Sequence, residues 1–185
     1  MNARLFSFLG GNTGTWQVTD MRSIIGEPLA PVRYVEVING SSYLPDNTAW
    51  LLRGVTSNER YATRTEKDQL IAKQQGTGRP EATCATLIPL RKKATWWALT
   101  QDERRNIFEE TSKHTEIGLK YLPAIARRLH HCRDLGESER FDFLTWFEYS
   151  PKHISAFNEL LGALRSTEEW TYVDWEIEVR LTKTI

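Results

Sequence analysis

One histidine and one arginine near the middle of the sequence have side chains that could bind an iron centre and an anion. His114 follows Ile107 by seven residues, so in a helix the two side chains share one semi-apolar face. A histidine in that setting is either a boundary residue that hydrogen-bonds a neighbour or the single axial ligand of a haem iron. Spacing alone leaves both interpretations open.

Arg127 stands in an apolar, alternating stretch that predicts a strand over Ala124–Cys132. On such a strand Ile125, Arg127 and Leu129 point to one face. A buried arginine is rare without an anionic partner. Arg127 therefore either binds an anionic ligand or pairs with an acid at a subunit interface.

The segment before His114 is predicted to form one helix that ends at Gly118. Thr100 is its expected N-cap, and Glu103 three residues later completes a capping box. Asp102 adds a negative charge in the first turn, where the helix dipole favours it. This helix would carry His114 in its last turns.

The remaining patterns predict a mixed α+β fold. A second capping box, Thr63 with Glu66, predicts a helix to about Gln75, and Ser150 followed by Pro151 predicts another. Besides Ala124–Cys132, alternating or apolar runs predict strands over Leu5–Leu9, Thr15–Val18, Arg33–Ile38, Trp50–Thr56, Ala82–Leu90, Phe141–Tyr149 and Trp170–Leu181.

The order of these elements suggests two related halves. The second half reads β-α-β-β-α-β, which is the ferredoxin-like pattern. The first half would be a shortened copy of it. We therefore expect one compact unit with a shortened N-terminal ferredoxin-like subdomain over residues 1–90 and a C-terminal one, which contains His114 and Arg127, over residues 91–185.

Composition excludes several classes of protein. Lys plus Arg equals Asp plus Glu at 24 each, and no basic run alternates with aromatic residues, so no nucleic-acid partner is expected. The N-terminal apolar run is too short for a signal peptide, and no run is long enough to span a membrane. These features predict a cytoplasmic protein without a membrane partner. His130, His131 and Cys132 are adjacent, but neighbouring strand residues point to opposite faces and cannot converge on one metal.

Long ordered strings carry a resemblance to a known family. They are WLLRG (50–54), RYATRTEK (60–67), LIPLRKKATWW (87–97), TQDERRNIFEE (100–110), KYLPAIARRLHHCRD (120–134), FDFLTWFEYSP (141–151) and RSTEEWTYV (165–173). From about residue 50 to the C-terminus, the sequence resembles the chlorite dismutase family in its short, dimeric lineage.

The resemblance implies a dimeric α/β barrel of two ferredoxin-like subdomains, a homodimer that binds haem b and acts on the small anion chlorite. His114 would be the proximal iron ligand, and Arg127 would stand over the distal face. Chlorite would become chloride and dioxygen through oxygen transfer to the ferric haem and recombination with hypochlorite held by Arg127.

The resemblance also implies further site residues. A carboxylate would hydrogen-bond the other ring nitrogen of His114, and both Glu168 and Glu169 are candidates, with Glu169 preferred. Gln74 would lie near Arg127. The positions that would contact the haem propionates or the haem edge are Lys92, Asn58, Tyr61 and Trp96, and Trp97 would pack on the proximal side.

Two other functions remain open at this stage. One is a coproporphyrin- or coprohaem-handling enzyme of haem synthesis on the same fold, although such enzymes lack an arginine at the position of Arg127. The other is a non-catalytic ferredoxin-like dimer that binds haem.

Overall fold

Eight strands close into a barrel in the computed structural model, which describes residues 4–40, 46, 48–56, 60–136 and 138–184. The strand order is β1-β3-β2-β8-β5-β7-β6-β4, and every neighbouring pair is antiparallel. The strands are β1 Leu5–Gly11, β2 Trp16–Ile25, β3 Tyr34–Asn39, β4 Thr48–Thr56, β5 Cys84–Lys92, β6 Ile125–His131, β7 Phe143–Tyr149 and β8 Val173–Lys183. The predicted mixture of α and β structure is confirmed, with an antiparallel barrel at its centre.

The helices lie outside the barrel sheet and in the connections. They are α1 Arg64–Lys73, α2 Ala94–Ala98, α3 Gln101–Arg105, α4 His114–Lys120 and α5 Ile154–Arg165, with a π-helical turn over Asn106–Thr111 and 3-10 turns over Pro151–His153 and Glu168–Tyr172. Both predicted capping boxes are confirmed, Thr63 with Glu66 at α1 and Thr100 with Glu103 at α3. None of the helices in the described ranges is long and apolar enough to cross a membrane.

Strand alternation divides the apolar residues into two clusters. One fills the barrel and includes Phe8, Leu87, Leu144, Trp146, Ile177 and Val179. The other lies between the outer face of the sheet and α5 and includes Ile88, Ile125, Phe147, Phe157, Leu160 and Leu161. Because successive residues of β5 and β7 point to opposite sides of the sheet, these two strands supply both clusters.

The prediction of one helix from Thr100 to Gly118 is wrong. The chain changes to π-helical geometry after Arg105, is broken at Lys113 in the left-handed region (φ 54°), and begins a new helix at His114 that runs to Lys120. Polar side chains around the break offer the backbone alternative hydrogen bonds, which compete with a continuous helix. His114 therefore opens a helix of its own and does not share a helical face with Ile107.

Other boundaries also differ from the prediction. The second strand continues to Ile25, and the last begins at Val173 because residues 168–172 form a 3-10 turn. Strand β5 runs through residue 90, where the two halves were expected to meet.

The left-handed Lys113 leads to a stability prediction. A non-glycine residue in this region costs about 1–2 kcal/mol, and glycine loses about 0.5–1 kcal/mol more on ordering than other residues. Lys113 is exposed, so we expect Lys113→Gly to stabilise the protein by about 0.5–1 kcal/mol in a denaturant titration. Lys120→Gly, an exposed control at the last residue of α4, should instead destabilise it, by at most about 1 kcal/mol. Equal destabilisation by both changes would contradict the strain assigned to Lys113.

Candidate functional site

A cavity opens between the outer face of β5, β6 and β7 and the helices α1, α4 and α5. Seven of the predicted site residues contribute to its lining, namely Tyr61, Gln74, Lys92, Trp96, His114, Arg127 and Glu169. Trp97 is not among the lining residues, and Asn58 lies outside the residues that the structure describes. The structure thus brings together side chains that are up to 108 positions apart in sequence (61 to 169).

One wall of the cavity, which we call the histidine wall, contains His114, Glu169 and Lys92. Glu169 is 4% exposed, and its Oε2 lies 2.6 Å from His114 Nδ1 while its Oε1 accepts from Lys92 Nζ at 2.8 Å. Glu168 is exposed, so the carboxylate that contacts His114 is Glu169. Burial of Glu169 opposes its ionisation, but His114 and Lys92 outweigh burial and lower its pKa to about 2. The histidine therefore faces a fixed carboxylate.

Lys92 is buried beside the carboxylate of Glu169. Its side chain is 5% exposed, and its ammonium group also lies 4.7 Å from the Trp96 ring centroid. Since an unpaired buried charge is costly, the ion pair with Lys92 compensates the buried charge of Glu169. The ammonium group is thus committed to Glu169 in this structure.

Phe108 covers the face of the histidine ring. The two rings stack at a centroid distance of 4.2 Å with 20° between their planes. With Nδ1 held by Glu169 and one ring face held by Phe108, the orientation of the His114 imidazole is restrained in two directions. The stacking of Phe108 on His114 depends on the π-helical geometry of Asn106–Thr111, so it could not be predicted from a continuous α-helix.

A second wall, the arginine wall, contains Arg127 and Gln74. Arg127 lies on β6 opposite Phe147 of β7, and both residues line the cavity. Gln74, the C-cap of α1, donates from Nε2 to the backbone carbonyl of Arg127 at 2.9 Å. The predicted proximity of Gln74 to Arg127 is thus present, through the backbone of the arginine.

Comparisons with known proteins show the family of the chain. A family model described as chlorite dismutase matches residues 30–184. The chain belongs to the chlorite dismutase family. This is a family of enzymes, and the protein is one of them.

The relatives differ in how much of the chain they cover. The crystal structure of a dimeric chlorite dismutase from Nitrobacter winogradskyi is 51% identical, covers 97% of this chain and 99% of that chain, and has a TM-score of 0.89. A chlorite dismutase from Ideonella dechloratans is 36% identical over 92 residues, which are 49% of this chain and only 30% of that relative. A variant chlorite dismutase from Candidatus Nitrospira defluvii, in complex with cyanide, is 17% identical, covers 100% of this chain and 92% of that chain, and shares the fold at a TM-score of 0.65.

Chlorite dismutases use haem, and the cavity can be tested for its fit to that group. Trp96 is 1% exposed and lines the cavity, and its indole Nε1 is a buried donor without an acceptor among the described residues. A buried donor of this kind normally has a partner. A haem propionate would supply the missing acceptor, and the mainly apolar lining suits a porphyrin. The residues present therefore fit haem.

Trp97 and Asp142 support the site from outside the cavity. Asp142 is buried, and its Oδ2 accepts from the Lys92 backbone N–H at 2.7 Å and from Trp97 Nε1 at 3.2 Å. Asp142 therefore fixes the end of β5, where Lys92 emerges. Sequence patterns did not single out Asp142, because its partners lie 45 and 50 residues away.

His130 and His131 lie on opposite sides of β6, as strand alternation predicted. His130 is fully buried between Phe6 and Phe8, and burial lowers its pKa to about 4, so it is neutral at pH 7. His131 lines the cavity instead. The two imidazoles therefore do not bind one metal ion together.

Proposed function

We propose that this protein is a haem b chlorite dismutase, which converts chlorite to chloride and dioxygen. The observation that carries the proposal is the His114–Glu169 pair on one wall of a cavity whose other wall presents Arg127. Haem b, when bound, would supply a ferric centre able to take one oxygen atom from chlorite and return it. The chain's own residues bind and orient the two reactants.

His114 would hold the iron through Nε2, because Nδ1 is already engaged by Glu169. The anionic carboxylate fixes the imidazole and makes it more electron-donating. Lys92 keeps Glu169 ionised by pairing with its second oxygen. This arrangement would favour the ferric state of the iron.

Arg127 would bind chlorite and then the hypochlorite that remains after one oxygen has been transferred. Guanidinium is charged at every working pH, so it attracts both anions. Holding hypochlorite in a cavity with a mainly apolar lining would allow recombination before escape. Gln74, through its bond to the Arg127 carbonyl, would hold this part of β6 in place. No general base is needed, since chlorite brings no proton to remove.

Trp96 and Tyr61 would contact the haem propionates or the haem edge. The indole N–H of Trp96 is buried without an acceptor among the described residues, which supports a contact between Trp96 and a propionate. Tyr61 has a positive φ of 64°, and Arg105 donates to its carbonyl while also pairing with Glu66. Tyr61, in the connection before α1, is thereby tied to the last residue of α3. Lys92 supports the iron ligand in this proposal and does not bind a propionate.

We also infer the finer architecture and assembly. The sheet order β8-β5-β7-β6 is that of a ferredoxin-like unit, with β5 as its first strand, so the boundary between the two subdomains would lie before Cys84. A homodimer is proposed by similarity to the dimeric Nitrobacter enzyme. A cytoplasmic location remains a prediction.

Haem loading followed by chlorite addition tests the function. We expect haem titration of the apoprotein to give a saturable Soret band and chlorite to release dioxygen rapidly on an oxygen electrode, one molecule per chlorite. A Soret band without dioxygen would contradict chlorite turnover and favour coproporphyrin handling or haem carriage. Absence of a saturable band would contradict haem binding itself.

A further inference from the structure

Ser112 connects two residues of the histidine wall, His114 and Glu169. It caps the π-helical turn two positions before His114 and is 4% exposed. Its hydroxyl oxygen accepts a hydrogen bond of 3.0 Å from the backbone N–H of Glu169. The turn that ends just before His114 therefore also holds the backbone of the residue that binds its imidazole.

These contacts form a closed ring. From Ser112 the chain passes through Lys113 to His114, whose Nδ1 meets Glu169 Oε2 at 2.6 Å, and the Glu169 N–H returns to Ser112. Glu169 is thus held at its backbone and at its carboxylate by residues of the same short segment. A shift of the 3-10 turn Glu168–Tyr172 would change the His114–Glu169 distance unless Ser112 prevented it.

The segment that carries Ser112 is itself anchored on the other side of His114. Glu109 is 5% exposed, and its Oε1 accepts from the backbone N–H of Thr115 at 2.8 Å and from the Thr115 hydroxyl. The residues on both sides of His114 are therefore fixed by buried hydrogen bonds. Ser112 differs from Glu109 because it acts directly on Glu169.

We propose that Ser112 is a positioning residue that fixes the His114–Glu169 hydrogen bond and thereby the electron donation to the iron. The proposal rests on the proposed function in that His114 is taken as the iron ligand. Without the hydroxyl, the Glu169 N–H would be buried without an acceptor, and the 3-10 turn would move to find one. The carboxylate would move with it, and a hydrogen bond as short as 2.6 Å weakens on any such shift.

A merely structural role for Ser112 predicts a different outcome. If the hydroxyl only terminated the π-helical turn, its loss would lower stability and leave the iron unchanged. The reduction potential and the iron–histidine stretching frequency separate the two cases, because both report the donor strength of the imidazole.

The test compares Ser112→Ala with Ser112→Thr and with the matched control Ser7→Ala, all loaded with haem. Ser7 is also a buried serine with one hydrogen bond to the backbone, but it lies on β1 and donates to Gly40. Reduction potentials are measured by spectroelectrochemistry and the iron–histidine frequency by resonance Raman of the ferrous protein. We expect Ser112→Ala to lower the frequency and raise the potential, to a value between wild type and Glu169→Gln. Ser112→Thr and Ser7→Ala should match wild type.

Wild-type values of both quantities in Ser112→Ala with haem bound would overturn the proposal. If the alanine variant does not fold, Ser112→Cys, which keeps the shape with a weaker acceptor, is measured in its place under the same criterion. The ¹⁵N chemical shift of His114 Nδ1 in the apoproteins separates this proposal from the function. A shift in Ser112→Ala relative to wild type supports the role of Ser112 even if haem does not bind, and an unchanged resonance contradicts it.

Discussion

Arg127→Ala is expected to bind haem as wild type does and to release dioxygen from chlorite about 10- to 100-fold more slowly. Hydrogen bonds to charged groups contribute about 1.5–3 kcal/mol, which sets that range. The variant should also stop after fewer turnovers, because hypochlorite that is no longer held escapes and oxidises the protein. Progress curves on an oxygen electrode, with the Soret band followed in parallel, measure both effects.

Two further arginine variants make this prediction specific. Arg127→Lys keeps the charge but loses the planar fork, so it should recover part of the rate. Arg91→Ala removes an exposed arginine that pairs with Asp174 and does not line the cavity, and it should leave rate and lifetime unchanged. A wild-type rate of dioxygen release and a wild-type number of turnovers in Arg127→Ala would contradict the role proposed for this side chain.

Glu169→Gln is expected to keep haem and raise the reduction potential of the iron on the order of 60–120 mV. The change replaces an anionic acceptor by a neutral amide, and a charge-assisted hydrogen bond contributes about 1.5–3 kcal/mol, with 59 mV equal to a factor of 10 for one electron. The easier reduction of the iron follows from a less electron-donating imidazole. Spectroelectrochemical titration of the Soret band measures the shift.

The same substitution should also lower stability. Lys92 would remain buried with no anion at Glu169, and an uncompensated buried charge costs about 3–5 kcal/mol. Glu168→Gln is the matched control, since it makes the same chemical change at an exposed neighbour and should alter neither the potential nor the stability. A shifted potential in Glu168→Gln, with none in Glu169→Gln, would place the functional carboxylate one residue earlier.

Local sequence patterns predicted the parts of the fold that local physics determines. The capping boxes at Thr63 and Thr100 are present, and strand alternation separated His130 from His131. These features depend on residues a few positions apart. Gln74 and Glu169 were assigned to the same site from the resemblance to a family, and not from any local sequence pattern.

The features that the sequence did not predict depend on long-range contacts. Next to the helix break before His114, Ser112 contacts Glu169, which lies 57 positions away in sequence. The partner of Lys92, also Glu169, lies 77 positions from Lys92. The sequence around Lys92 does not distinguish a lysine that binds a haem propionate from one that pairs with a buried glutamate. The role predicted for Asn58 remains a prediction, because this residue lies outside the described part of the chain.

The most direct test of the account is the isotopic origin of the dioxygen. The haem-loaded protein is mixed with unlabelled chlorite in ¹⁸O-enriched water, and the gas is followed by membrane-inlet mass spectrometry. We expect one dioxygen per chlorite with both atoms unlabelled, because hypochlorite is held until it recombines. Chlorite loss without dioxygen, or dioxygen that carries water-derived oxygen, would contradict it.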